Sequence, residues 1–170
     1  MKLSTIGTVE LVSVGKRAID VPAKIDTGAD SSAIWASNIS VDEDGTLKFS
    51  LFGEGSPYYN GKVFKRTDFS VVKVKSSNGQ SEIRYRTHFS IEISGRRINA
   101  LMNLADRSKN SLPILIGKRT IAGKFLVDVT KNSSLLGKPT AKKRNILDVK
   151  LKKNPHEFHK KYVNIQKEVV

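Results

Sequence analysis

The sequence contains no cysteine, which excludes disulfides, thiolate nucleophiles and thiolate metal ligands. It has only three histidines, His88, His156 and His159. His156-Glu157-Phe158-His159 is not the His-Glu-x-x-His arrangement of metalloproteases, and His88 reads as a surface or packed residue on an alternating strand. No metal is expected. A Walker glycine loop is also missing, because Gly61-Lys62 is followed by Val63 and lacks the upstream glycine, so no nucleotide cofactor is expected. No apolar run approaches the length of a transmembrane helix, and the first ten residues hold no apolar signal region. The expectation is a cytoplasmic protein without membrane contact. Five prolines and twelve glycines in 170 residues are too few for disorder throughout.

What is abundant is positive charge. Thirty Lys and Arg stand against sixteen Asp and Glu, a formal net charge of +14. Such a field attracts polyanions: nucleic acid, anionic lipid or acidic polypeptide. Lysines crowd the last fifth of the chain, and the composition shifts near Leu136-Gly137-Lys138-Pro139. Residues 1–137 are therefore expected to form the folded domain, with 138–170 a lysine-rich C-terminal extension. Ile146, Val149, Leu151, Phe158, Tyr162, Val163 and Ile165 give that extension enough apolar positions to dock, more than a purely disordered basic arm would carry.

The body of the chain reads as strands. Thr8–Val14 and Ala18–Ile25 flank a Gly15-Lys16 turn, and Ser32–Ile39 follows as a strand or turn segment. Asp42 to Gly61 is turn-rich around a strand at Leu47–Phe52, and Tyr58-Tyr59 within it reads equally as a substrate contact or a packing pair. Phe69–Lys75 and Ile83–Ile93 surround Ser76-Ser77-Asn78-Gly79-Gln80, where Asn-Gly between alternating runs signals a hairpin. A turn at Ser94-Gly95 joins Ile98–Asn103, and Phe125–Val129 reads as a last strand. Leu112–Gly117 is a short apolar strand, and Lys118–Ala122 suits one helical turn closed by Gly123. The fold class is mostly β with one short helix.

Within this frame Ile25-Asp26-Thr27-Gly28-Ala29-Asp30-Ser31-Ser32 carries the chemistry. Val21, Ala23 and Ile25 alternate toward Asp26, as in a strand bearing an acid to its tip. Gly28 permits a sharp turn, and Thr27 offers a hydroxyl. Aspartic catalysis needs two carboxylates a few ångströms apart that share one proton. One copy of the motif is present, so a second must come from a second chain, or the motif is not catalytic. Asp30 reads as a structural hydrogen-bonding residue rather than the second acid.

Three segments in order, Asp26–Ser31, Ser90–Gly95 and Ile114–Lys118, resemble the retropepsins, the homodimeric retroviral-type aspartic proteases. The chain is most similar to a bacterial branch labelled ATP-dependent zinc proteases and associated with RimK-type glutamate ligases, over Ile25–Ala36, Ser76–Arg86 and Leu112–Gly137. The resemblance covers roughly residues 5–138.

That resemblance implies a closed β-barrel of acid-protease type. It implies that Asp26 is the catalytic carboxylate, paired across a two-fold axis. Thr27 would brace the two loops, and Gly28 would line the substrate backbone, with Ala29 and Asp30 completing the loop. Ser76, Ser77, Asn78, Gly79 and Gln80 fall where retropepsins carry the flap. Ile114, Leu115, Ile116 and Gly117 would support the loop from beneath. Asp42–Gly61 looks like an insertion before the flap. The implied partners are a second copy of the chain and a peptide substrate, with an acidic or glutamylated peptide suggested by the positive field and the ligase association. A terminal strand from the extension would pair with the partner chain, or the extension would contact RNA or the ribosome. The alternative reading is a catalytically silent module with the same fold that binds peptide, ribosome or RNA.

Overall fold

The computed structural model describes residues 3–75, 79–132 and 141–162. The chain divides into two units, Met1–Leu136 and Gly137–Val170.

In the first unit the alternation of apolar residues builds a barrel. Strands β2 (Val9–Val14) and β3 (Ala18–Asp26) form the expected hairpin, with Val12 opposite Val21 and both fully buried. The barrel also uses β4 (Ser32–Val41), β8 (Ser81–Ile93), β9 (Arg96–Ala105) and β10 (Ile114–Gly117). In space the order is β10-β3-β2-β8-β9-β4, and β4 pairs again with β10, which closes the ring at six strands. Closure leaves no free edge within the ring and fixes which strand lies under which loop. Val21, Ile34, Ile91, Ile93, Met102, Ile114 and Ile116 fill the interior. One short helix, α1 (Lys118–Ile121), follows β10, and Gly123 ends that turn at φ +69°. The fold is mostly β with a closed barrel, as expected.

Segment 42–61 is more ordered than its turn-rich composition suggests. β5 (Leu47–Leu51) pairs with β4 and with β6 (Val63–Arg66), a strand too short to stand out in the sequence. Its anchor is Phe49, which stacks on Phe64 at 5.4 Å and meets the edge of Phe89 at 6.0 Å. Tyr58 packs on Phe52 at 5.6 Å, and Tyr59 lies against the same core, so this pair packs rather than lining a cleft. β1 (Ser4–Ile6) and β11 (Phe125–Val127) form a separate parallel pair. β1 also escapes a sequence reading, because three residues carry no period.

β7 (Ser70–Lys75) pairs only with the outer half of β8, from Ser70 opposite Arg86 to Lys75 opposite Ser81. The inner half of β8 belongs to the barrel. The hairpin is therefore an arm that pairs with the ring only through β8. Of its tip, Gly79 and Gln80 are described; Ser76, Ser77 and Asn78 lie outside the described residues.

The second unit is helical where it is described, with α2 (Ala141–Lys153) and α3 (Pro155–Tyr162). The terminal strand considered for this region is not among the described residues, and Val163 and Ile165 lie outside them. The two helices have local causes. Residues 141–153 are rich in good helix formers and hold no glycine or proline. Asn154 then caps α3, its Oδ1 accepting the Glu157 N–H at 3.2 Å, with Pro155 at the first helical position. Phe158 and Tyr162, four apart, bring their rings to 4.8 Å. No described helix is long and apolar enough to cross a membrane.

Candidate active site

Asp26 is the last residue of β3 and lies opposite Gly117 in the parallel β3–β10 ladder. Ile25 and Ile116, paired one step earlier, are buried and anchor both strand ends. Asp26 is thus held on a rigid element while its side chain stays partly open. Its Oδ1 accepts the N–H groups of Gly28 and Ala29 at 3.1 and 3.2 Å. Its Oδ2 faces the Lys24 ammonium at 3.0 Å. Lys24 reaches it because residues two apart on a strand share a face. The hydrogen bond from Lys24, then its charge and the two backbone donors, hold the Asp26 carboxyl below the usual carboxylate value against an opposing push from burial. These contacts favour the ionised carboxylate and fix its orientation.

The loop after Asp26 is tied down from β10 and α1. Lys118 N–H donates to the Ala29 carbonyl at 2.8 Å and Arg119 N–H to that of Asp30 at 3.2 Å. The Asp30 carboxylate pairs with the Lys118 ammonium at 2.6 Å, and this contact lowers its pKa. Asp30 thus takes part in a contact that ties the loop to α1. Thr27 is exposed, and its hydroxyl has no partner among the described residues. Gly28 and Ala29 line a cleft.

Three residues of the site were given no role by the sequence reading, although Ser32 closes the Ile25–Ser32 stretch. Ser32, at 1% exposure, accepts the Gly117 N–H at 3.0 Å and shares a 2.8 Å hydrogen bond with the Thr120 hydroxyl. It joins β4, β10 and α1 at one point below the loop. Ser32→Ala orphans the Gly117 N–H and the Thr120 hydroxyl, and a buried unsatisfied group costs about 1–3 kcal/mol. Urea denaturation is expected to show a loss of that size; an unchanged midpoint would mean the network is dispensable. Asn103, buried on β9, donates to Ser31 Oγ at 3.0 Å and steadies the loop from the other side. Arg107 is the third.

The cleft has a volume of about 560 Å³ and lies between the Gly28–Ser31 loop and the β7–β8 arm. Leu115 forms part of its wall, while its neighbours Ile114 and Ile116 point into the core; the supporting strand therefore also offers a surface to the cleft. Val72, Lys73, Val74 and Lys75 contribute from the arm, with Arg84, Arg86, Arg107 and Arg119 around them. Among the described residues no group of three or more His, Cys, Asp or Glu gathers to hold a metal ion. The residues of this site do not fit a zinc centre, and the chemistry derived below uses none.

Comparison with known proteins places this geometry. The model of a family described as "Retropepsin-like aspartic endopeptidase RimB" (RimB-like) matches residues 5–136. A Shewanella pealeana protein named "Probable alpha-L-glutamate ligase" is 30% identical over 159 residues, covering 81% of this chain and 34% of that protein. One of the same name from Shewanella halifaxensis is 30% identical over 128 residues, covering 69% and 27%. The chain thus spans about a third of the length of these curated relatives. A solved structure of a Legionella pneumophila protein of unknown function has a TM-score of 0.60, covering 76% of this chain and 95% of that one at 24% identity, a likeness of fold.

Proposed function

Since the chain belongs to the RimB-like, retropepsin-like aspartic endopeptidase family, we propose that it is a homodimeric aspartic peptidase in which two copies of Asp26 activate one water. The single observation that carries this reading is the Asp26 carboxylate itself, partly exposed at a strand end and held by the N–H groups of Gly28 and Ala29, two residues that line the cleft. Brought together, two such carboxylates cannot both stay ionised cheaply, and one takes up a proton. The ionised Asp26 accepts a proton from the water as its oxygen attacks the peptide carbonyl carbon. The protonated Asp26 donates to the carbonyl oxygen, giving a neutral diol. The Asp26 that took the water's proton then passes it to the amide nitrogen. The other, now ionised, takes a proton from a diol hydroxyl as the C–N bond breaks. This releases amine and carboxylic acid and leaves one aspartate protonated and one ionised, as at the start. Before the dyad forms, Lys24 must yield the Oδ2 that it holds in the single subunit.

The substrates proposed are acidic or glutamylated peptides. Two relatives at 30% identity carry the name "Probable alpha-L-glutamate ligase", and the cleft wall here is cationic. Light scattering across a concentration series tests the dimer: cleavage per chain should rise in step with the dimer fraction. Full activity from a population that is wholly monomeric would overturn the reading.

The extension supports a second, compatible role. Lys150, Lys152, Lys153, Lys160 and Lys161 are exposed on α2 and α3, and the Tyr162 ring has the ammonium groups of Lys150 and Lys161 at 5.8 and 5.7 Å. Lysines beside an aromatic face suit an RNA backbone, whose binding weakens steeply with salt. Salt-insensitive RNA binding, or none, would count against this role.

A further inference from the structure

The cleft carries more positive charge than the surrounding fold neutralises. Arg84 and Arg86 lie two apart on β8 and so share a face, and Arg107 sits in the loop after β9. Arg107 is only 9% exposed, yet its Nε and Nη2 are spent on one carbonyl, that of Leu112, at 3.2 and 3.1 Å. No carboxylate pairs with it among the described residues. Arg84 gives Nη2 to Glu82 at 2.9 Å, while its Nε is buried with no hydrogen-bond partner among the described residues. Burial first, then the nearby Arg84 guanidinium, push the Arg107 pKa down, and Asp26 pulls it back up. The two arginines and Asp26 therefore share one electrostatic neighbourhood.

A guanidinium stays charged at any pH a protein survives, so this crowding cannot be relieved by losing a proton. A desolvated cation and a buried, unused donor both favour an incoming anion. The planar fork of arginine fits a carboxylate with two parallel hydrogen bonds. Resting on the peptidase reading above, we propose that Arg84 and Arg107 form a subsite that selects a substrate side-chain carboxylate next to the scissile bond. Asn103, which lines the same cleft, commits its amide N–H to Ser31 Oγ. Leu115 and Val72 add apolar surface to the same cleft.

The test uses the full chain carrying Asp26→Asn, so that binding is read without cleavage. Three labelled peptides serve as probes in fluorescence anisotropy: alternating glutamate and glycine with an amidated end, its glutamine counterpart, and that counterpart with a free terminal carboxylate. The glutamate peptide should bind at least about tenfold more tightly than its amidated glutamine twin, the worth of one charge-assisted contact. Adding Arg84→Gln should remove most of that preference and leave binding of the glutamine peptide unchanged. Arg107→Lys keeps the charge but not the fork, and should also narrow it. Lys16→Gln supplies the control, since it removes one charge at the β2–β3 turn, about 25 Å along β3 from Asp26 by strand rise. An equal loss with Lys16→Gln, or a preference that survives both arginine changes, overturns the subsite. A preference that follows the terminal carboxylate also overturns it. Binding of none of the three peptides would instead overturn the peptidase reading on which the subsite rests.

Discussion

Asp26→Asn is expected to lower peptide cleavage by about 10²–10⁴-fold, the range of general acid–base assistance, with little change in fold. Every dyad in the variant loses both carboxylates at once, so no residual partner can compensate. The backbone turn should persist, because an asparagine Oδ1 can still accept from the Gly28 and Ala29 N–H groups. What disappears is the ion pair with Lys24, whose side chain is 51% exposed, and an exposed pair contributes little stability. Its pH dependence has a definite sign. The folded-state pKa of Asp26 is depressed, so its contribution is present above the unfolded carboxylate pKa and is lost as pH falls through the folded one. Any stability gap between parent and variant should therefore shrink in acid. The checks are cleavage of an acidic peptide library and thermal melts at neutral and acidic pH. Unchanged cleavage would remove Asp26 from the chemistry.

Gly117→Ala should have the second large effect, for a reason confined to space. Gly117 sits at φ −87° and ψ 168°, ordinary extended backbone, so an alanine there meets no conformational penalty. Its Cβ, however, would stand 2.6 Å from the Ser31 carbonyl carbon and oxygen and 2.9 Å from the Ala29 oxygen. These are backbone atoms of the loop that aims Asp26, and they cannot swing aside as a side-chain end would. Overpacking of this kind costs typically about 1–3 kcal/mol. The relief available is a shift of the loop, and a misplacement of about 1 Å can cost about 10²-fold in rate. Both a lower melting temperature and a lower kcat are expected. Gly28→Ala provides the contrast, because its Cβ would meet only Asp26 Oδ1 at 3.4 Å, an ordinary contact. Its melting temperature should stay near the parent's. A Gly117→Ala protein with parental stability and activity would show that the loop does not rest on β10 as described.

These two sites differ in how much of them the sequence reveals. The Asp26 turn is legible because strand alternation, an acid and a glycine fall in one short run, and local rules govern all three. The apolar Ile114–Gly117 strand is legible for the same reason, and so is the Gly15 hairpin. Ser32 and Thr120 are not: their hydrogen bond joins residues 88 apart in sequence, and a buried serine is marked by no local pattern. Arg84 and Arg86 leave a trace, since cations alternating on a strand must share a face, but whether that face meets solvent or a cleft depends on where β7 packs. Arg107 leaves none. The described part of the extension is decided locally, by a run over 141–153 without glycine or proline and by the Asn154-Pro155 cap. The terminal residues, where the resemblance implies a strand, lie outside the described ones.

One measurement tests the central claim, that a working site needs Asp26 from two copies of the chain. Parent and Asp26→Asn proteins are mixed in equal amounts, allowed to exchange subunits, and assayed at fixed parent concentration. In a symmetric dimer about half of the parent subunits then sit in mixed pairs. If both carboxylates are required, cleavage per parent subunit falls to about half at equal mixing and continues toward zero as the variant is raised in excess. Cleavage per parent subunit that stays constant at every mixing ratio, with exchange confirmed by a size-tagged variant, would mean that each Asp26 acts alone and would contradict the account.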